Sequence, residues 1–442
     1  MNHFGYRGGW LYAEDVPLSV IAAEVGTPFY CYSTATMTRH FNVFKDAFGI
    51  DDALICYAVK ANSNMAVLRV LADCGAGADV VSEGELLRAM AAGIPANKIV
   101  FSGVGKTREE MAKALGAGIY QFNVESVEEL KTLSDVARNL GTTAPVALRI
   151  NPDVDAGTHK NISTGKAENK FGIPWAWAEN TFELGATLPG IEIKGIDVHI
   201  GSQITELTPF ETAFSKVAEL VGTLRAAGHT VERLDLGGGL GIPYAADEKA
   251  PPLPDEYAKL IRRLTDGLDV RLVFEPGRMI VGNAGVMITQ VINVKKSETK
   301  SFAVVDAAMN DLMRPALYDA WHEILPLKEA GPSVARAPID VVGPVCESTD
   351  VFAEARPLPP LVEGDAIAFL SAGAYGAVQA SEYNSRALVP EVLVLGDKFA
   401  VIRKRPSHQE MMDRDSLPPW LGPILSIAGG TDTTKDKEGG AA

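Results

Sequence analysis

Cysteine is scarce in this chain. Four cysteines are spread over 442 residues, as Cys31, Cys56, Cys74 and Cys346, and no two share a Cys-x-x-Cys or Cys/His spacing. That spread excludes a zinc ribbon and a disulfide framework, and no metal is expected. At least three of the four read as small buried hydrophobes. Positive charge is also in deficit: 41 lysines and arginines face 56 acids, for a net charge of −15 and a pI near 5.0. Such a field repels nucleic acid and anionic membrane surfaces, so neither is an expected partner. An anionic substrate would need local arginines to overcome it. No apolar run is long enough to span a bilayer. Residues 1–17 mix Asn2, Arg7, Glu14 and Asp15 with aromatics and lack the apolar centre of a signal peptide. The cytoplasm is the expected location.

Short apolar runs, each followed by a helix-like stretch, recur at 54–59, 78–81, 99–101, 120–124, 146–150, 195–200, 234–236 and 272–274. Amphipathic segments such as 82–92, 126–140 and 210–227 lie between them. Eight β/α units in about 250 residues predict a TIM-type barrel, whereas a doubly wound sheet seldom needs eight such regular units. After Gly285 the rhythm changes. The stretches 286–297, 302–306, 339–345, 366–370 and 389–403 are β-rich with few helical intervals and read as an antiparallel β-domain. A strand at 28–32 is expected to join that domain rather than the barrel. The predicted fold is a (β/α)8 barrel over 35–284 followed by a C-terminal antiparallel β-sandwich or Greek-key barrel over 285–422. Residues 1–34 join the β-domain, and the polar, glycine-rich 423–442 form a disordered tail.

In a TIM-type barrel the chemistry sits where the strands end. Those ends read Lys60; Asp79 with Ser82; Ser102; Asn123; Arg149; His199 with Ser202; Gly237-Gly238-Gly239; and Glu275 with Arg278. Every strand ends in a polar residue or in glycine. Lys60, closing Tyr57-Ala58-Val59-Lys60, would face the barrel mouth, where burial would lower its pKa and free the neutral amine for covalent chemistry. A lysine snorkelling to the surface is the competing reading. Gly237-Gly238-Gly239-Leu240-Gly241 would let backbone N–H groups approach a phosphate, although most glycine runs only mark tight turns. Its place after the seventh strand, beside Glu275-Pro276-Gly277-Arg278 after the eighth, is where barrels bind phosphate. Glu275 could keep a pyridine nitrogen protonated, or could simply pair with Arg278. For His199 three roles compete: proton shuttle, flat surface against a cofactor, or satisfied core histidine. In the β-domain, Cys346 lies between a proline turn and Glu347-Ser348-Thr349-Asp350, where an exposed thiol could donate a proton. Arg314, in Arg314-Pro315-Ala316-Leu317-Tyr318, has solvated surface arginine as its default reading, with the proline at a turn or helix start.

Taken together, Tyr57-Ala58-Val59-Lys60, His199-Ile200-Gly201-Ser202, Gly237-Gly238-Gly239, Glu275-Pro276-Gly277-Arg278, Cys346-Glu347-Ser348-Thr349-Asp350 and Gly373-Ala374-Tyr375 resemble, in this order, the alanine-racemase-like (fold III) pyridoxal-phosphate decarboxylases. The resemblance runs from about Phe4 to Arg405. Within that family the chain looks closest to the branch acting on meso-2,6-diaminopimelate. Cys346-Glu347-Ser348 stands where ornithine enzymes carry Cys-Asp-Gly, and the Arg314…Tyr318 pair and Ser381-Glu382-Tyr383-Asn384-Ser385-Arg386 agree. One departure is Ser385-Arg386-Ala387-Leu388, where the family often shows Arg-Pro-Arg-Pro.

The resemblance implies decarboxylation to L-lysine with pyridoxal 5'-phosphate as cofactor. Lys60 would carry the cofactor, His199 would stack on its ring and Glu275 would hold its nitrogen. Asp79, Ser202, Gly237, Gly238, Gly239, Pro276, Gly277, Arg278 and Tyr375 would complete its site. Arg278, Arg314, Tyr318, Glu347 and Tyr375 would grip the distal end of the substrate, and Cys346 would protonate the carbanion. It also implies a homodimer whose second subunit supplies Cys346, and a lid over 153–170 that includes His159. The rivals are a sister decarboxylase for ornithine, arginine, carboxynorspermidine or a D-amino acid, a racemase, a non-catalytic regulatory homologue and a cofactor-free aldolase.

Overall fold

The protein is described by a computed structural model covering residues 2–49, 53–156, 164–165, 169–245 and 250–422. A small antiparallel sheet comes first, β1 (Phe4–Arg7), β2 (Trp10–Ala13) and β3 (Val16–Pro17), followed by β4 (Phe29–Ser33). The barrel strands are β5 (Ala53–Ala58), β6 (Gly77–Val80), β7 (Ile99–Phe101), β8 (Gln121–Val124), β9 (Ala144–Asn151), β11 (Ile191–Asp197), β12 (Arg233–Asp235) and β13 (Arg271–Phe274). A two-residue β10 (Ile173–Pro174) is appended to β9. The eight pair in parallel, each with the next, and β13 returns to β5, so the sheet closes on itself. All eight predicted strands are present, with ends shifted by a few residues.

Alternation along these strands sorts the side chains. Ile55, Tyr57, Ala78, Val80, Ile99, Phe101, Phe122, Val124, Val146, Leu148, Ile196, Leu234 and Phe274 belong to the main core shared with the surrounding helices. Their neighbours turn inward. Low in the barrel these are Leu54, Cys56, Val100 and Val273, a separate small apolar cluster. Higher up, the same period brings Lys60, Asp79, Ser102, Asn123, Arg149, Asp197, Asp235 and Glu275 to the inside. The helices outside start on side-chain caps, Ser82 for Glu83–Ala91, Thr107 for Arg108–Ala117 and Ser126 for Val127–Leu140.

The C-terminal sheet has strands β14 (Gly285–Lys296), β15 (Ser301–Val305), β16 (Ile324–Pro326), β17 (Ala337–Val342), β18 (Val351–Leu358), β19 (Ala366–Phe369), β20 (Glu391–Leu395) and β21 (Lys398–Arg403). As expected from the sequence, β4 joins this sheet, between β14 and β20. The sheet is mainly antiparallel, but β15–β17 and β4–β20 pair in parallel. Both pairings join strands distant in sequence, whose direction alternation cannot fix. Residues 405–422 belong to a separate compact unit with a short Ser407-capped helix, His408–Met412. The expected tail, 423–442, lies outside the described residues.

Gly195 is where two barrel strands approach too closely for any side chain: a Cβ there would lie 1.9 Å from the Arg233 carbonyl oxygen, beside a register shift in β11. Gly195→Ala should therefore destabilise the barrel by about 1–3 kcal/mol or more. A melting temperature equal to that of the parent protein would contradict this.

Candidate active site

Lys60 sits in a 3-10 turn, Val59–Ala61, immediately after β5. Its Nζ is 2.6 Å from Oδ2 of Asp79, a wholly buried residue of β6. Burial pulls the lysine pKa down, but the charges of Asp79 and Glu275 outweigh it and hold the ammonium above its ordinary value. The lowered pKa expected from burial alone is thus reversed, because the same strand ends supply two carboxylates and leave the Lys60 side chain half-buried. Oδ1 of Asp79 is buried with no hydrogen-bond partner.

Glu275 follows β13 and is 6% exposed. Its Oε1 accepts from Ser102 Oγ at 3.1 Å and from Asn123 Nδ2 at 2.9 Å, and it makes no bond to Arg278. The alternative of a Glu275–Arg278 pair is thereby overturned: the glutamate turns into the barrel and the arginine turns away. Beneath it, Oδ2 of Asp235 accepts from Asn123 and Gln121, and Oδ1 accepts from the Gly237 N–H. Carboxylate oxygens of Asp197, Asp235 and Glu275 lie within 4.8 Å of one another. Burial, reinforced by mutual repulsion, pushes Asp197 and Glu275 well above the usual carboxylate range. Burial likewise pushes Asp235 up to about 7. Of these three carboxyl groups, Glu275 is the one that lines the cavity.

His199, Ser202, the 237–239 glycines, Arg278 and Tyr375 line the same cavity as Lys60 and Glu275. His199 Nδ1 accepts from the Gly238 N–H at 3.2 Å, which leaves the ring proton on Nε2. Burial, with Arg149 and Lys60 nearby, lowers its pKa well below the ordinary value, so the ring is neutral. A Cβ on Gly237 would fall 2.7 Å from His199 Nδ1, and one on Gly238 would fall 2.4 Å from the Glu275 carbonyl oxygen. The glycines are needed for close packing of the two loops, which brings bare backbone to the cavity wall.

Arg278 donates from Nε and Nη2 to Ser202 Oγ (3.3 and 3.0 Å) and from Nη1 to the Tyr244 hydroxyl (2.5 Å). Its guanidinium lies 4.8 Å from the Tyr375 ring centre. Arg314 is only 6% exposed and lies 4.4 Å from the Tyr244 ring centre, so the surface reading is corrected. The segment Arg314–Tyr318 is a short helix with proline near its start. Its Tyr318 hydroxyl accepts from Gln379 Nε2 at 3.2 Å. Among the described residues neither Arg278 nor Arg314 is paired with a carboxylate. Tyr244 and His322, both in contact with this pair, carry no motif that sequence reading could have used.

Cys346 and Glu347 are not brought to this cavity. Both are exposed, on a loop where Cys346 N–H donates to Asn384 Oδ1 at 3.1 Å and Glu347 accepts from Thr349 Oγ1 at 2.6 Å. The departing segment 385–388 remains anchored, since Arg386 donates to the Asp306 carbonyl oxygen. Most of the expected lid, including His159, lies outside the described residues.

A family model described as "Pyridoxal-dependent decarboxylase, pyridoxal binding domain" matches residues 34–282. The chain is 51% identical over 424 residues to a diaminopimelate decarboxylase of Zymomonas mobilis, covering 95% of this chain and all of that one. Among solved structures, a diaminopimelate decarboxylase from Helicobacter pylori complexed with L-lysine superposes with a TM-score of 0.86 at 43% identity, covering 90% and 98% of the two chains. One from M. jannaschii, also in complex with L-lysine, gives 0.90 at 35% identity, covering 95% and 100%. The residues present fit pyridoxal phosphate. A lysine amine can take its aldehyde, Glu275 its ring nitrogen, and a side-chain-free glycine wall with Ser202 its phosphate.

Asp235 gives a pH test of the buried layer. Its folded pKa is raised above the unfolded value near 4, so its contribution is complete below about pH 4 and is lost as pH rises to about 7. The melting temperature of the cofactor-free protein should fall over that window. Asp235→Asn should lower overall stability by misplacing a donor, yet flatten the slope. Parallel slopes for the two proteins would contradict the assignment.

Proposed function

The chain belongs to the diaminopimelate decarboxylases within the pyridoxal-dependent decarboxylases, and on that premise we propose a carboxy-lyase that converts meso-2,6-diaminopimelate to L-lysine and carbon dioxide, the last step of lysine formation. The observation that carries the substrate is a pair of buried arginines with no acidic partner among the described residues: Arg278, which lines the Lys60 cavity, and Arg314, which shares the Tyr244 side chain with it. Two desolvated cations beside a cavity favour a ligand that brings its own carboxylate. A substrate with an amino-acid group at each end supplies one for reaction and one for this grip.

Pyridoxal phosphate, when bound, supplies the electron sink for the carbanion left as carbon dioxide departs. Lys60 Nζ would hold it, and Asp79 Oδ2 keeps that amine in place at 2.6 Å. Glu275, steadied by Ser102 and Asn123, would keep the ring nitrogen protonated. Neutral His199, fixed by the Gly238 N–H, offers a flat face without adding charge. Gly237, Gly238, Gly239, Pro276, Gly277, Ser202, Arg278 and Tyr375 would form the rest of the cofactor wall. Arg278, Arg314, Tyr318 and Tyr375 would bind the distal carboxylate end, and Glu347 its ammonium. Cys346 Sγ would deliver the proton to the carbon that lost carbon dioxide.

Exposure of Cys346 and Glu347, away from the cavity, supports a homodimer in which each subunit completes its partner's site. Four unpaired cysteines fit a reducing cytoplasm. The division into 1–34, 35–284 and 285–422 belongs to the same reading, and the family match over 34–282 supports the barrel segment.

Cofactor-loaded protein should release carbon dioxide from meso-diaminopimelate with L-lysine as product. Lys60→Ala should abolish turnover together with the visible absorbance of the lysine-bound cofactor. Cys346→Ala should slow turnover by about 10²–10⁴-fold while leaving that absorbance intact. Mixing the two inactive variants should restore about a quarter of parental activity, as expected for a two-fold dimer with shared sites. No recovery on mixing, with subunit exchange demonstrated, would sink the shared site.

A further inference from the structure

Both arginines of the proposed distal grip are held by neutral acceptors. Arg278 is held by Ser202 Oγ and the Tyr244 hydroxyl. Arg314 Nη1 lies 2.8 Å from His322 Nε2. An arginine can only donate, so His322 Nε2 is an unprotonated acceptor. The ring proton therefore sits on Nδ1 and is donated to the Leu370 carbonyl oxygen at 2.8 Å, just past β19. One tautomer satisfies both contacts. His322 is 1% exposed, and its ring meets Tyr244 edge-on, with centres 5.5 Å apart at 84°. Arg314, Arg278 and Arg356 surround it, with Arg356 Nη1 donating to its backbone carbonyl. Burial, with Arg314 beside it, pushes its pKa down to about 3, so the ring stays neutral across the working range.

This arrangement does two things at once. Engaging Nη1 of Arg314 turns one edge of the guanidinium to the protein and leaves the Nη2/Nε edge for a planar anion. Because no holder is anionic, both arginines keep their full charge. An aspartate or glutamate in place of His322 would fix Arg314 equally well and would cancel its pull.

We propose that His322 and Tyr244 are specificity-determining positioning residues, which orient Arg314 and Arg278 through neutral acceptors so that the distal carboxylate of the substrate becomes their first anionic partner. The inference rests on the diaminopimelate reading above. A substrate without that carboxylate leaves two desolvated arginines uncompensated and is discriminated against for that reason.

Steady-state kinetics with meso-diaminopimelate, and L-lysine binding followed through cofactor absorbance, test this directly. L-lysine keeps the distal amino-acid end, whereas 1,5-diaminopentane lacks the carboxylate and serves as control. His322→Leu and Tyr244→Phe should each raise KM and the L-lysine dissociation constant by about tenfold or more, with kcat within about threefold. Binding of 1,5-diaminopentane should not weaken. His322→Gln, which restores an acceptor, should recover most of the loss, and His322→Glu should be worse than His322→Leu. If His322→Leu does not fold, Tyr244→Phe, which loses a single hydroxyl, decides alone. Unchanged KM and L-lysine binding in Tyr244→Phe, or equal weakening for 1,5-diaminopentane, would overturn the inference. A parent protein inactive on meso-diaminopimelate would instead overturn the substrate reading.

Discussion

The ion pair between Lys60 and Asp79 is the contact around which the barrel mouth is organised. A buried carboxylate without a cation would take up a proton, and a buried ammonium without an anion would lose one. At 2.6 Å the Asp79 carboxylate holds the Lys60 ammonium above its ordinary pKa, and the amine is fixed where β5 ends. The pair exists because β5 and β6 are adjacent parallel strands, with Asp79 turned inward on β6 and Lys60 in the turn that closes β5. One residue of slippage in either strand would turn one member of the pair to the helix side.

From that pair outward, charge is distributed by burial. Asp197, Asp235 and Glu275 lie close together with pKa values raised by burial, and Asn123 and Gln121 tie the layer together. Across the cavity the signs reverse. Arg278 and Arg314 are buried against tyrosine, histidine and serine, with no anion beside them among the described residues. A net charge of −15 makes such a local positive site costly to approach by chance and useful for drawing in one end of a dipolar amino acid. The barrel mouth thus carries a carboxyl-rich floor and, apart from it, two buried arginines held by neutral groups.

Much of this was legible in the sequence, for a definite reason. The barrel strands are short apolar runs whose ends are polar, and parallel neighbours in chain order leave little freedom in pairing. Lys60, Glu275 and the 237–239 glycines line one cavity, with Asp79 paired to Lys60, and all are legible as strand ends, where a barrel keeps its chemistry. Burial alone gives the wrong direction for the Lys60 pKa, because two carboxylates share its space. The parallel pairings in the second sheet were also missed, because strand direction there is set by contacts between distant segments. Strand β18 was overlooked because Glu354, Arg356 and Pro357 break its apolar pattern. Tyr244 and His322 left no signal, since a lone tyrosine after a proline and a lone histidine after a tryptophan mean nothing until folding sets them beside arginines.

The most direct measurement is carbon dioxide release by the cofactor-loaded protein with meso-diaminopimelate, ornithine, arginine and carboxynorspermidine offered in parallel. The account predicts that kcat/KM for meso-diaminopimelate exceeds each of the others by at least about a hundredfold, with L-lysine as the product. A preference for ornithine or arginine, which lack the second carboxylate, would contradict the claim that Arg278 and Arg314 exist to hold one.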